Sequence, residues 1–227
     1  MRLLGLFILA SLISCTKQDN QQNSFIKVDD YAGMNKGRFI IYDALEIQHT
    51  PASSTTVFSD TSRYELKVLI EDTIHDNLGR VAWKYNRYKR LNAQEAWTLS
   101  DVWTTLVDGN NNELVEENQR IIKLKSPIKA STEWNANVFN NMGESIFSYS
   151  NINDPLVLNN LNFDSTVTVV QADERNLIKY EKKIEVYAKG IGMIYKYFKE
   201  LSIANFDTLN IKNGKELYLY PKSFGYQ

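Results

Sequence analysis

Apolar and polar residues alternate with a period of two along much of this chain, and that pattern restricts the fold more than any other feature. Tyr64, Leu66, Val68, Ile70 and Ile74 are interleaved with Glu65, Lys67, Glu71 and Thr73. Such spacing places one row of side chains on a dry face and the other in water, as in a half-buried strand. Asp76-Asn77-Leu78-Gly79 then reads as a turn, and Val81, Trp83 and Tyr85 resume the alternation, which predicts a hairpin. A second hairpin is expected from Trp97 to Val107, across Asp108 to Asn112, and back through a strand from Leu114 to Leu124. Gly37 to Gln48 and Val167 to Gln171 read as further strands. Asn213-Gly214 suits the positive φ angles of a type I′ turn, so Leu209-Ile211 and Leu217-Leu219 are expected to pair, with Pro221 ending the last strand.

The segment from Leu177 is ambiguous. Leu177, Tyr180, Ile184 and Tyr187 have helical spacing, yet Ile184, Val186 and Ala188 alternate, and Gly190 and Gly192 disfavour helix. It is divided here into a turn or short helix up to about Lys183 and a strand pair across the glycines. The expected architecture is mainly β with little helix: one curled antiparallel sheet forming a half-barrel or barrel.

The only cysteine, Cys15, closes the stretch LFILASLISC. Arg2 followed by the apolar run Leu3 to Ile13 has the layout of a secretory signal. The run is shorter than the ~20 residues that span a bilayer. Leu12-Ile13-Ser14-Cys15 resembles the lipobox of bacterial lipoproteins. The resemblance implies a diacylglycerol thioether on Cys15, cleavage after Ser14 and acylation, for example by palmitate, of the new amino terminus. The alternatives are an ordinary signal peptide with a chance cysteine, or an uncleaved hydrophobic anchor. One acyl chain binds membranes only marginally, whereas two or three on one residue hold durably. Thr16 to Ser24, TKQDNQQNS, is polar and without periodicity, so residues 15–24 are expected to form the lipidated tether and residues 25–227 a single β-rich domain. In the lipoproteins that this leader resembles, Asp directly after the cysteine favours retention in the inner membrane. Thr16 stands there, so the resemblance favours an outer-membrane anchor, with the leaflet open.

Composition narrows the function classes. Cleavage after Ser14 would leave 213 of the 227 residues with a formal charge near −2, which offers no basic field for nucleic acid. With 43% hydrophobic residues and no cysteine beyond Cys15, stability must come from an apolar core, not from disulfides.

Glu185 to Lys196, EVYAKGIGMIYK, resembles a segment of many Bacteroidota-type envelope lipoproteins of unassigned chemistry, as does the run from Glu117-Asn118-Gln119-Arg120 to Trp134-Asn135-Ala136-Asn137. The resemblance implies two adjacent strands around the glycines and a sheet similar to the half-barrels of periplasmic lipoprotein carriers. Gly190 and Gly192 serve either a bend where another backbone approaches or a floor for a ligand.

Catalytic patterns are sparse. His49 and His75 each lack a second ligand at metal spacing, although Asp72 and Asp76 lie near His75. The sequence asks for no metal and no cofactor. A serine nucleophile would have only those two histidines as base. Glu116 and Glu117 cannot act as a pair on one strand, because neighbours face opposite ways. Glu116 with Asp72 or Glu185 is a formal possibility. Trp83, Trp97, Trp103 and Trp134 suit either a β core or a sugar-stacking groove, with Trp134 and Asn137 the best ligand candidates because of their polar surroundings.

The expected function is therefore a membrane-anchored, non-enzymatic module that binds an apolar ligand or an envelope protein, with Trp134, Asn137, Gly190 and Gly192 as candidate binding residues. A glycan-binding or glycan-active protein and a structural component of an envelope assembly are the alternatives.

Overall fold

The computed structural model describes residues 26–53 and 56–227. The expected signal peptide, Cys15 and the tether lie outside the described residues. A single-turn helix, α1 (Val28–Ala32), precedes the strands β1 (Arg38–Pro51), β2 (Val57–His75), β3 (Val81–Arg90), β4 (Thr98–Asp108), β5 (Asn111–Glu116) and β6 (Gln119–Lys125). Then come β7 (Glu133–Asn135), β8 (Ile146–Leu158), β9 (Leu161–Arg175), β10 (Lys179–Ala188), β11 (Gly192–Ala204) and β12 (Asp207–Tyr226). They form the expected curled antiparallel sheet, in the order β6-β5-β4-β3-β2-β1-β12-β11-β10-β9-β8-β7, nearly closed into a barrel. Each hairpin pairs neighbours in sequence, and β1 with β12 joins the two halves.

The sheet ends, β6 and β7, meet at a seam that no continuous ladder crosses. Among the described residues one backbone bond, from Ile122 N to Ala136 O at 3.0 Å, and three side chains bridge it. The Trp134 indole N–H donates to Ile122 O (2.9 Å), and the Asn140 amide donates to Arg120 O (2.8 Å). The Tyr149 hydroxyl accepts from Lys125 N (2.6 Å) and donates to Lys125 O (2.9 Å). Behind these bonds the Trp134 ring packs 4.7 Å from Tyr149 and 5.8 Å from Phe147, within a cluster that includes Val28, Tyr31, Leu124 and Val167. Burying an indole of this size contributes about 5 kcal/mol of transfer free energy.

The residues before β1 close the end of the barrel where β1 begins. Val28 and Tyr31 are fully buried, and Tyr31 shares a hydrogen bond with Ser165 (2.7 Å). Gly190 N donates to Asp30 O (2.7 Å), and a side chain on Gly33, at φ 61°, would strike Ile191 O.

Four expectations change. Asn213-Gly214 makes no hairpin: β12 runs straight through it, with Gly214 opposite both His49 and Leu201. A Cβ there would lie 2.2 Å from Glu200 O, so close approach of backbones, not a turn, demands this glycine. The β11–β12 turn is instead made by Asn205 and Phe206, at φ 58° and 60°. Pro221 does not end the strand. It stands at a bulge, where Ile41 faces Ser223 and Tyr42 faces Pro221, beyond the last β11 partner, Leu219, so no ladder needs its missing N–H. The expected single strand from Leu114 to Leu124 is two, β5 and β6, because Glu117 and Asn118 (φ 48° and 61°) turn the chain. No helix occupies 177–183: strand pairing in β10 begins at Lys179, and the strand pair across the glycines is present.

Gly214→Ala is expected to lower stability by about 2 kcal/mol, or about 4–8 °C in Tm, from φ strain at 136° and the clash. Gly143→Ala, where nothing lies within 4 Å, is expected to change it by less than about 0.5 kcal/mol. Thermal melts of both variants check this, and equal effects would contradict the close-approach role.

Candidate functional site

The inward residues of these strands do not fill the barrel. They enclose a cavity of about 490 Å³, within the range that accommodates a small organic ligand. Along β1 its wall runs from Arg38 to Glu46, nine residues or about 26 Å of strand. At the β1 start it is closed by Ala32, and Arg38, Ile40, Val68, Thr105 and Asn112 are buried there. At the other end Glu117 and Met142 are exposed and Lys215 is about half-exposed, so the cavity opens at the low rim formed by the β5–β6 turn.

Three polar groups of residues line it. Midway, Glu185 accepts from Lys123 Nζ (2.7 Å), Lys196 Nζ (3.1 Å) and the Tyr187 hydroxyl (2.7 Å). Burial pushes the Glu185 carboxyl up, but the two ammonium groups and the phenol outweigh it and hold the pKa down to about 2. Lys123 is opposed by burial yet raised by Glu185 and Glu116. Near the rim, Lys215 pairs with Glu46 (2.8 Å), whose other oxygen accepts from Tyr64 (3.2 Å). Burial and that carboxylate raise the Tyr64 phenol to about 12.

The third set begins at the closed end and runs along one row of the sheet towards the β5–β6 turn. Ile70 faces Tyr85, Tyr85 faces Trp103, and Gly37 N bonds Ile70 O, so Arg38, Tyr85 and Trp103 share one transverse row. Tyr85 and Trp103 stack at 6.2 Å, and the Arg87 guanidinium lies 4.0 Å from the Trp103 ring while bonding Asp101 (3.0 Å). Arg38 Nε donates to Gly33 O, and burial lowers its pKa. Among the described residues Arg38 has no ion pair, and its Nη1 has no hydrogen-bond partner.

The candidate residues from the sequence fall elsewhere. Trp134 is a seam residue with its one polar atom satisfied, and Asn137 ties the loop after β7, donating to Gly143 O (2.7 Å). Gly190 sits in the β10–β11 turn, and Gly192 lies under Ala32 O and the Arg38 guanidinium, where a Cβ would be 3.3 Å from each. None of these four lines the cavity. Trp97 lies between Arg90 and Lys67, at 4.2 and 5.3 Å, and Trp103 is the tryptophan of the cavity.

Glu116 and Glu117 both line it, since Glu117 belongs to the turn and is freed from strand alternation, and Glu185 joins them, whereas Asp72 pairs with Lys36 on the surface. His49 is held between Ser59 (2.8 Å) and Glu216 (2.9 Å). Among the described residues no three His, Cys, Asp or Glu side chains are placed to hold a metal. Arg38 was legible in one respect: it is in phase with Ile40, Tyr42 and Ala44, a charge on an apolar face. Comparison with known protein families, curated proteins and solved structures finds no match to this chain.

Because the Glu185 pKa falls from 4.5 when the chain folds, its ionised form adds stability that is complete above about pH 5 and lost as pH falls towards 2. The loss amounts to about 3 kcal/mol. Glu185→Gln is expected to flatten that part of the profile and, by stranding Lys123, to cost about 3–5 kcal/mol at pH 7. Urea unfolding between pH 2 and 7 measures both, and parallel profiles would contradict the assignment.

Proposed function

We propose that this chain is an envelope lipoprotein, anchored to the outer membrane through Cys15, that acts as a non-enzymatic binding module and takes a small, largely apolar ligand into its barrel. The carrying observation is the interior cavity of about 490 Å³, closed at one end and open at the other. Its walls between the polar groups are apolar, with Ile40, Leu66, Val68, Leu217 and Leu219 facing inward. The anchor rests on the likeness of Leu12-Ile13-Ser14-Cys15 to a lipobox.

The arrangement of charges favours binding over catalysis. A carboxyl near pKa 2, clamped by two lysines and a tyrosine, is a poor proton donor at neutral pH. Glycoside hydrolysis requires one carboxyl to hold its proton until the leaving group departs, and Glu185 cannot. The described chain starts at Ile26, whose carbonyl accepts from Ile128 N beside the closed end. The eleven steps from Cys15 to Ile26 reach at most about 40 Å.

Full-length protein purified from its own membranes in mild detergent is expected to show an acylated Cys15 by intact mass and to release one further small molecule per chain on extraction. Cys15→Ser is expected to free the protein from the membrane without emptying the barrel. Acylated protein that releases nothing, and that after delipidation binds none of the extracted envelope lipids, would overturn the binding role.

A further inference from the structure

We propose that the ligand is an amphiphile with a single anionic head group, and that this head group is seated at the closed end of the cavity beside Arg38. The inference rests on the binding role proposed above and specifies the chemistry of what is bound.

Arg38 carries a positive charge that nothing in the described protein neutralises. It is 4% exposed and makes no ion pair there, and the groups bearing on it are the phenols of Tyr85, Tyr42 and Tyr226, not carboxylates. The other cations of the cavity have carboxylates: Lys123 and Lys196 share Glu185, with Glu116 also acting on Lys123, Lys215 has Glu46, and Arg87 has Asp101. Lys89 lies over the Tyr64 ring near the rim, where water is at hand. A buried cation is costly unless a counter-charge arrives, so an anion entering the cavity gains most at Arg38.

Hydrogen-bond accounting points the same way. Two buried side-chain atoms of the cavity residues lack partners, Arg38 Nη1 on β1 and Trp103 Nε1 three strands away along the same row on β4, and both are donors. The missing partner is therefore an acceptor. From that row the wall continues through Ile40, Val68 and Leu66 towards the opening, which suits an apolar body trailing from an anionic head.

The test uses delipidated full-length protein and three twelve-carbon probes, laurate, dodecanol and dodecyltrimethylammonium, with affinities read by calorimetry. Laurate is expected to bind one per chain and at least about tenfold more tightly than the other two. Arg38→Gln is expected to bring laurate down to the dodecanol level, and Arg38→Lys to keep most of the preference. Equal binding of laurate and dodecanol would overturn the anionic head group while leaving the cavity's binding role intact. A laurate preference that survives Arg38→Gln would overturn the assignment to Arg38. Binding of no probe would overturn the proposal, and the extraction described above then decides the binding role separately. Should Arg38→Gln fail to fold, a crystal of wild-type protein with laurate serves: a carboxylate on the Arg38 guanidinium is expected, and one held at Lys89 or Lys215 would refute it.

Discussion

The Tyr149 hydroxyl, bonded to both the amide and the carbonyl of Lys125, and the Trp134 indole on Ile122 O hold the seam on which the whole interior depends. A sheet of this width with an open seam would be a trough, with the inner faces of β6 and β10 exposed to water. Closed, it brings Lys123 on β6 against Glu185 on β10, sixty-two residues apart in sequence, at 2.7 Å. Side chains can substitute for a ladder here because the cluster around Trp134, Phe147 and Tyr149 excludes water from the few bonds that cross. Loss of Tyr149 would leave two backbone groups of Lys125 to find other partners.

Once the barrel is closed, its charges sort by depth. Carboxylates near the rim and midway are matched by lysines, and solvent reaches the outermost of them. At the floor Arg38, which has no ion pair among the described residues, is tied by one bond to the Gly33 carbonyl and packed against Gly192, which lacks the side chain that would crowd it. Gly33 and Gly192 thus serve the floor: each allows backbone or guanidinium to approach where a Cβ would stand. The asymmetry, paired charges above and an unpaired one below, gives the cavity a direction.

Strand content and curvature were legible in the sequence because alternation is a local signal, and the Tyr64–Ile74 and Val81–Tyr85 strands lie where their periods place them. Turns were legible only where the residue that turns is a typical one. Asp76 to Gly79 turns as its composition implies, whereas Asn205-Phe206 accepts positive φ with a bulky aromatic, and Asn213-Gly214 uses its glycine for packing. Trp134 drew attention by its polar neighbours, but those neighbours face the loop while the ring faces the core. The cavity residues were hidden for a different reason. Arg38, Trp103 and Glu185 come from three distant strands, and only the register of the sheet brings them to one space.

If the barrel interior is a ligand site and not an accident of packing, protein from its own membranes holds a molecule there. The most direct measurement is a crystal structure of the full-length protein taken from its own membranes without delipidation. Continuous non-protein density is expected from the Arg38 guanidinium towards the β5–β6 rim, with one acceptor group at the guanidinium. An interior collapsed onto its own side chains, or filled only by separate waters, would contradict it.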